Sequence, residues 1–400
     1  MSEQKNSFTT SFGRTIPFVP GHIEFIKQTI GLREIVDRDC ENACINAIKR
    51  NERVQIDYEK VNKEFREESK SLSLHGYAAR FSRVYTFMEL ARNTHIQFPF
   101  KKSLDVGCGY GIQPRIMKGL GLVDESVGID IYDRASGVND ERLMKQHRQL
   151  YQLKAQEFIH KHLAKIPLEK RKDWQQALAS KLKNSRVASK RYNGWMHDSD
   201  FFHQKITQPF KLDRMIAGNI FELKEQFDLI TSFSSLEWFE MKAIIKKISE
   251  LLPVGGVFYL WVPNWWHAVN TTLLAGHFPY AAQRLTKEDF FRYIEEYFPN
   301  NIHQMKVNYE YFDPNHPTLS NYVEQAFENG LVPLAHYSNI IPDQASLKYG
   351  IHPLGYGLSD YPRMHDVMAD IHQFRPDVRW EDLLPRTYTF IFQKADPVGQ

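Results

Sequence analysis

Cysteine is scarce. Cys40, Cys44 and Cys108 are the only three in 400 residues, too few and too scattered for a disulfide scaffold, and they fit a reducing compartment. Cys40 and Cys44 stand one helical turn apart, a spacing that serves packing. Long apolar runs are missing too. Nothing approaches the ~20 residues a membrane helix needs, and the opening MSEQKNSFTT holds no apolar core of a secretory signal. A cytoplasmic protein with no membrane span is expected. Neither sign of charge dominates: 51 Lys+Arg against 48 Asp+Glu leave a net +3, so no global field selects nucleic acid or lipid. Asp and His are too dispersed for a ligand-spacing argument, and no metal is expected. Internal repeats are absent. Aromatic residues, by contrast, are plentiful at 13%. They serve either a large core, the default, or a cleft for flat or sugar-like ligands.

Along the chain the apolar period changes once. Residues 1–20 carry Ser, Thr, Gly and Pro without periodicity and read as an irregular arm. From about Ile23 to Ala91 the pattern is helical, with Phe81, Val84, Tyr85, Met88, Leu90 and Ala91 on one face. Residues 1–100 are therefore expected to form an arm and a helical region. From 101 onward, short apolar runs alternate with helical ones. SLDV from Ser103, SVGIDI from Ser126, RMIA from Arg214, FDLITS from Phe227 and VFYLWV from Val257 read as strands. Leu331 to Ile341 and Thr387 to Gln393 read as two more, the last expected antiparallel at the end of the sheet. This order predicts an α/β fold: a doubly wound, mostly parallel, seven-stranded sheet. It carries an N-terminal helical extension and a helical insertion after the second strand.

That insertion is expected over 139–212. Its stretch 139–195 holds 14 Lys+Arg against 5 Asp+Glu, while Trp174, Leu178 and Leu182 mark a packed face. Three uses are open, in this order: a solvated helical pair or homo-oligomer contact, a dock for an acidic acceptor, and RNA backbone binding. Residues 343–384 are rich in Gly, Pro, His and Tyr and read as a lid-like loop.

The most informative run is Leu104-Asp-Val-Gly107-Cys108-Gly109-Tyr-Gly111, between a strand and a helix. Glycines there permit tight backbone angles and let a ligand touch the main chain. The spacing is G-x-G-x-G, with Gln113 where a dinucleotide fingerprint would place its third glycine. Asp105 precedes the first glycine; a carboxylate at that point repels a pyrophosphate but suits an ammonium. Asp130, ending the next strand in VGIDI, can accept both hydroxyl protons of a ribose. The two acids together read out an amino acid joined to a nucleoside, which describes S-adenosylmethionine.

LDVGCGYG, VGIDI, AGNIFEL, FDLITSFSSLEWF and LLPVGGVFYLWVPN resemble the successive motifs of class I S-adenosylmethionine-dependent methyltransferases, in that family's order. The resemblance covers roughly 101–134 and 212–264. It implies that Gly107, Cys108, Gly109 and Gly111 line the methionine part of the cofactor, with Asp105 at the ammonium. It places Asp130 on the ribose, Ile131 against the adenine, Asn219 and Ile220 at the adenine edge, and Ser232 and Phe233 beneath the reacting methyl. Two departures stand out: Asn219 where the family often has Asp, and Trp238 where it frequently has His.

With the methyl already activated, the protein must align the acceptor, exclude water and remove a proton from a hydroxyl. His267, His277 and Glu237 are the candidate bases; each also has a packing or capping reading. Val262-Pro-Asn264 after the fifth strand resembles enzymes acting on small molecules and glycans, and Ser-Phe-Ser-Ser-Leu after the fourth lacks the Asn/Asp-Pro-Pro-aromatic run of DNA-base enzymes. A hydroxyl or amine of a small-molecule or glycan-type acceptor is therefore expected, and nucleic acid is not. The alternatives are an RNA methyltransferase using the basic insertion, or a non-catalytic binding subunit of the same fold. Thr286 and Asp289 predict a capped helix start.

Overall fold

The computed structural model describes residues 6–22, 74–149 apart from five loop positions between 132 and 139, 209–267, 276–338 apart from 301 and 312–315, and 364–396 apart from 384 and 386. Most of the basic insertion, the helical pattern before Leu74, the end of the expected strand Leu331 to Ile341, and 343–363 of the expected loop lie outside the described residues.

Two short strands, β1 (Ser7–Thr9) and β2 (Thr15–Pro17), form an antiparallel hairpin. Helix α1 (Leu74–Ala91) leads into β3 (Phe100–Val106), then α2 (Ile112–Gly119), β4 (Val123–Asp130) and α3 (140–149). After the insertion come β5 (Arg214–Ala217), β6 (Leu229–Phe233), α4 (Met241–Leu251) and β7 (Val257–Pro263). The chain continues through α5 (Lys287–Tyr297), α6 (Ile302–Tyr311), α7 (Leu319–Glu328), β8 (Leu331–Ser338), α8 (Met364–Ile371) and β9 (Thr387–Lys394).

The main sheet has seven strands in the order β5-β4-β3-β6-β7-β9-β8. The first five run parallel, and β9 is antiparallel to both neighbours. Strand order reverses beside β3, between β4 and β6, so the carboxyl ends of these strands open a crevice at a topological switch point. Strand runs are apolar on both faces because helices cover both. Tyr259 points into a core shared with α1 and α2, through Phe81, Phe87, Ile112 and Ile116. Its neighbours Phe258 and Leu260 point into the opposite core, against Ile244 and Ile248 of α4 and Tyr322 of α7. That alternation is the period-two signature of a strand between two layers.

The last strand is antiparallel as expected, but it lies one place in from the edge. Its first six residues are all buried, whereas β8 is half exposed; the more apolar run takes the covered position. The region expected as a lid-like loop contains α8 and a short helix, Trp380–Leu383. Val367, Met368 and Ile371 bury one face of α8 in a third core built on Trp265, Trp266, Phe290 and Tyr293. The arm likewise has more order than its composition suggests. Phe8 and Ile16 of the hairpin enter this third core, and Ser11 N–H donates to Asp289 at 3.0 Å.

Candidate active site

Strand β3 ends in a turn that departs from ordinary backbone angles. Gly107 has φ +64° and Gly109 φ +52°, values that favour glycine. Each glycine also has its own spatial reason. A Cβ on Gly107 would stand 2.3 Å from the Cβ of Ser235, whereas nothing lies within 4 Å of one on Gly109. Gly107 is therefore pressed against the loop after β6, while Gly109 turns bare backbone to open space. Gly107 N–H and Cys108 N–H both donate to the Ile129 carbonyl, at 2.8 and 3.1 Å, tying the turn to β4. Gly109 N–H donates to Asp130 Oδ2 at 2.8 Å.

Around this turn lies a cavity of about 400 Å³, within the range of small-ligand sites. Nine residues expected at the cofactor line it: Asp105, Gly107, Cys108, Gly109, Asp130, Ile131, Asn219, Ile220 and Phe233. Two stand behind the wall. Gly111 precedes α2, with Arg115 bonding its carbonyl. Ser232 is fully buried and shares a 2.7 Å hydrogen bond with Ser235; Ser235 in turn donates to the Val106 carbonyl, bracing β6 against β3. Asn219 caps the turn Ile220–Glu222, its side-chain oxygen accepting from Phe221 N–H at 3.1 Å, which leaves one lone pair for a ligand amine.

Asp105 is buried and accepts a 2.7 Å hydrogen bond from Thr231. Burial pushes its carboxyl up to about 8, and Asp130 adds to the rise, while the Thr231 bond and Arg83 oppose it. A carboxyl that holds its proton only in the folded state makes folding less favourable as pH rises between the ordinary value, 3.8, and about 8. The slope from one such group is at most about 1.4 kcal/mol per pH unit. Asp105→Asn keeps the acceptor for Thr231 and cannot titrate. Thermal melts of the ligand-free protein from pH 5 to 8 should fall less steeply for the variant; parallel slopes would remove Asp105 as the source.

Arg80 and Arg83 of α1, which no motif indicated, also line the cavity, as do Tyr110, Gln113, Ser234, Ser235, Trp238 and Phe239 from in and beside the motif segments. The Arg83 guanidinium lies 3.8 Å over the Trp261 ring. Burial and, after it, Arg80 lower its pKa to about 10, while Glu237, Tyr259 and Asp105 oppose; it stays cationic near neutrality. A signal for this pair was present: two arginines three apart in a helix stretch that also carries Tyr77, Phe81, Val84 and Tyr85.

The three candidate bases do not line the cavity. His267 is buried beside Trp265 and Trp266, and its N–H donates to the Asn264 carbonyl. His277 stacks on Phe18 at 4.6 Å, and its Nδ1 lies 2.8 Å from the Tyr293 hydroxyl. Glu237 is closer to the site: its Oε1 accepts a 2.7 Å hydrogen bond from Ser234, which does line the cavity. Burial pushes the Glu237 carboxyl up to about 7, opposed by the Ser234 bond and Arg83.

Two of the solved structures that resemble this one are a geranyl diphosphate C-methyltransferase from Streptomyces coelicolor A3(2) and a cyclopropane synthase from Mycobacterium tuberculosis. The first is 11% identical, with 78% of this chain and 79% of that one covered and a TM-score of 0.35. The second is 13% identical, with 78% and 84% covered and a TM-score of 0.35. No curated protein matches the chain in sequence. A family model described as a methyltransferase domain matches residues 77–329, more than half of the chain. The protein therefore belongs to the class I, Rossmann-like S-adenosylmethionine-dependent methyltransferase family.

Proposed function

We propose that the protein transfers a methyl group from S-adenosylmethionine to a hydroxyl or amine of a small-molecule or glycan-type acceptor, in the cytoplasm. One observation carries the reading: the bare backbone of Gly109 and the carboxylate of Asp130 line the same cavity. A Cβ at 109 would project into that space, which fits a cofactor lying against main chain.

Gly107, Cys108 and Gly109 would hold the methionine portion, with Gly111 fixing the turn from behind. Asp130 would take the ribose hydroxyls; Ile131, Asn219 and Ile220 would take the adenine; Phe233, backed by Ser232, would floor the reacting end. Arg80 and Arg83 would face the carboxylate. An ammonium beside Asp105 would favour the ionised form that burial opposes. Bound there, the cofactor supplies an already activated methyl. The chain aligns the acceptor, excludes water and removes the proton. Among the three candidate bases, Glu237 takes that last role here, because its hydrogen-bond partner reaches the cavity. His267 and His277 sit instead in the aromatic third core. Residues 101–400 would form the catalytic domain, with the 139–212 insertion serving acceptor choice or assembly.

Calorimetry tests the cofactor first. Saturable one-to-one binding of S-adenosylmethionine and S-adenosylhomocysteine is expected, with no binding of NAD; the reverse preference would sink the reading. Incubation with methyl-labelled cofactor and a cell metabolite extract then tests the acceptor class. Label should appear in small molecules, and label confined to RNA would favour the alternative.

A further inference from the structure

Ser234 occupies an unusual position. It is not glycine, yet its φ is +65°, a conformation that strains an L-residue and that gathers at functional sites. The strained backbone is held by Ser234 N–H donating to the Trp261 carbonyl at 2.8 Å. This geometry keeps Ser234 on the cavity wall while its Oγ donates to Glu237 Oε1 at 2.7 Å. Glu237 lies one layer deeper, 2% exposed, and its Oε2 has no hydrogen-bond partner among the described residues. A buried carboxylate oxygen left this way is costly in a folded protein, and a catalytic role is one reason for a fold to keep it.

We propose that Ser234 relays the acceptor's proton to Glu237, making the two a hydroxyl–carboxylate dyad that serves as the base. The inference rests on the methyl-transfer reading above. As the acceptor atom takes the methyl group, its proton passes to Ser234 Oγ, and Ser234's own proton passes to Glu237 Oε1. The hydroxyl is regenerated and Glu237 ends neutral. The proton gained there balances the positive charge lost when a sulfonium becomes a thioether, and it later leaves to solvent. The charged group facing Glu237 is Arg83 of α1; the same guanidinium faces Asp105 of β3 and Tyr259 of β7. Arg83 favours the ionised form of Glu237 and opposes the burial that keeps it protonated. The dyad is thus balanced between its two states near neutral pH, the condition for general-base work.

Three variants of the full-length protein test this: Ser234→Ala, which keeps the backbone strain; Ser234→Gly, which relieves it; and Glu237→Gln. Infrared titration of the Glu237 carboxyl, assigned by its loss in E237Q, needs no acceptor. Removing the Ser234 hydrogen bond should move its midpoint upward by about one pH unit. Methyl transfer from labelled cofactor to the metabolite extract is then followed from pH 6 to 9. Wild-type turnover should rise through the Glu237 midpoint. S234A and S234G should lose about 100-fold in kcat with little change in KM, and S234A/E237Q should be no slower than E237Q alone. All variants should bind S-adenosylhomocysteine like the wild type. A wild type that neither binds cofactor nor transfers label overturns the underlying reading and the relay with it. An active wild type with full turnover in S234A and S234G, or with an unmoved infrared midpoint, overturns the relay alone. A loss in S234A that S234G restores would assign the effect to backbone geometry and also overturn it.

Discussion

Asp130→Ala is expected to weaken S-adenosylhomocysteine binding by about two to three orders of magnitude and to leave the protein folded. The carboxylate closes β4 and lines the cavity, so in the proposed pose it accepts both ribose hydroxyls. Hydrogen bonds to a charged acceptor contribute about 1.5–3 kcal/mol each, and each 1.4 kcal/mol is tenfold in affinity. The same carboxylate also accepts from Gly109 N–H, so alanine leaves a turn amide without its partner. Because that amide faces an open cavity, water can replace the carboxylate at small cost. Asp130→Asn separates the two effects. Its side-chain oxygen still serves Gly109 but carries no charge and one fewer acceptor group, so the loss should be intermediate. Calorimetry beside a thermal melt decides: an affinity within threefold of wild type for alanine would remove Asp130 from the cofactor site.

Much of this site was readable in the chain because it is local. LDVGCGYG and VGIDI each put their functional atoms within a few residues of a strand end, so the order of strands and turns predicts where Gly107, Gly109 and Asp130 converge. Arg80 and Arg83 arrive by contacts distant in sequence. Arg80 reaches the cavity from a helix that precedes the motif, and nothing in its neighbourhood says which layer that helix covers. Ser234 was legible as a residue after the fourth strand; its positive φ was not, since serine gives no sign of a left-handed turn. The hairpin at 7–17 was missed for a similar reason. Its strands have only three residues each, below the length at which alternation can be seen, and its partners lie near 289. Helix α8 was the most recoverable miss, because Val367, Met368 and Ile371 already mark one helical face inside a region whose Gly and Pro content suggested a loop.

The largest loss of stability is expected at Asp370. This carboxylate on α8 accepts from Arg284 Nε and Nη2 at 2.8 and 2.7 Å, with both side chains under 5% exposed. Arg14 of the hairpin approaches the same group from its half-exposed side. Asp370→Ala leaves a guanidinium buried without its counter-charge, and breaking a buried pair this way costs about 3–5 kcal/mol. Arg14 adds little, since half-exposed pairs are screened by solvent. The double replacement Arg284→Met with Asp370→Leu removes both desolvation costs together. Denaturant unfolding should find it more stable than either single variant. Singles that unfold at the wild-type midpoint, or a double that falls by the sum of the two, would contradict the pair's role.

Docking of the hairpin has a further consequence during synthesis. Ser11 meets Asp289 across 278 positions, so the earliest described stretch of the chain has no seat until most of the polypeptide has emerged. Phe8 and Ile16 travel exposed in the meantime, and the aromatic side chains around Tyr293 form late without their cover. Closing so wide a span is slow relative to the neighbouring helix–strand units, so the hairpin is expected to dock late, after the segment around Asp289 has folded. A nascent chain stalled short of residue 289 would present an apolar ribbon to chaperones.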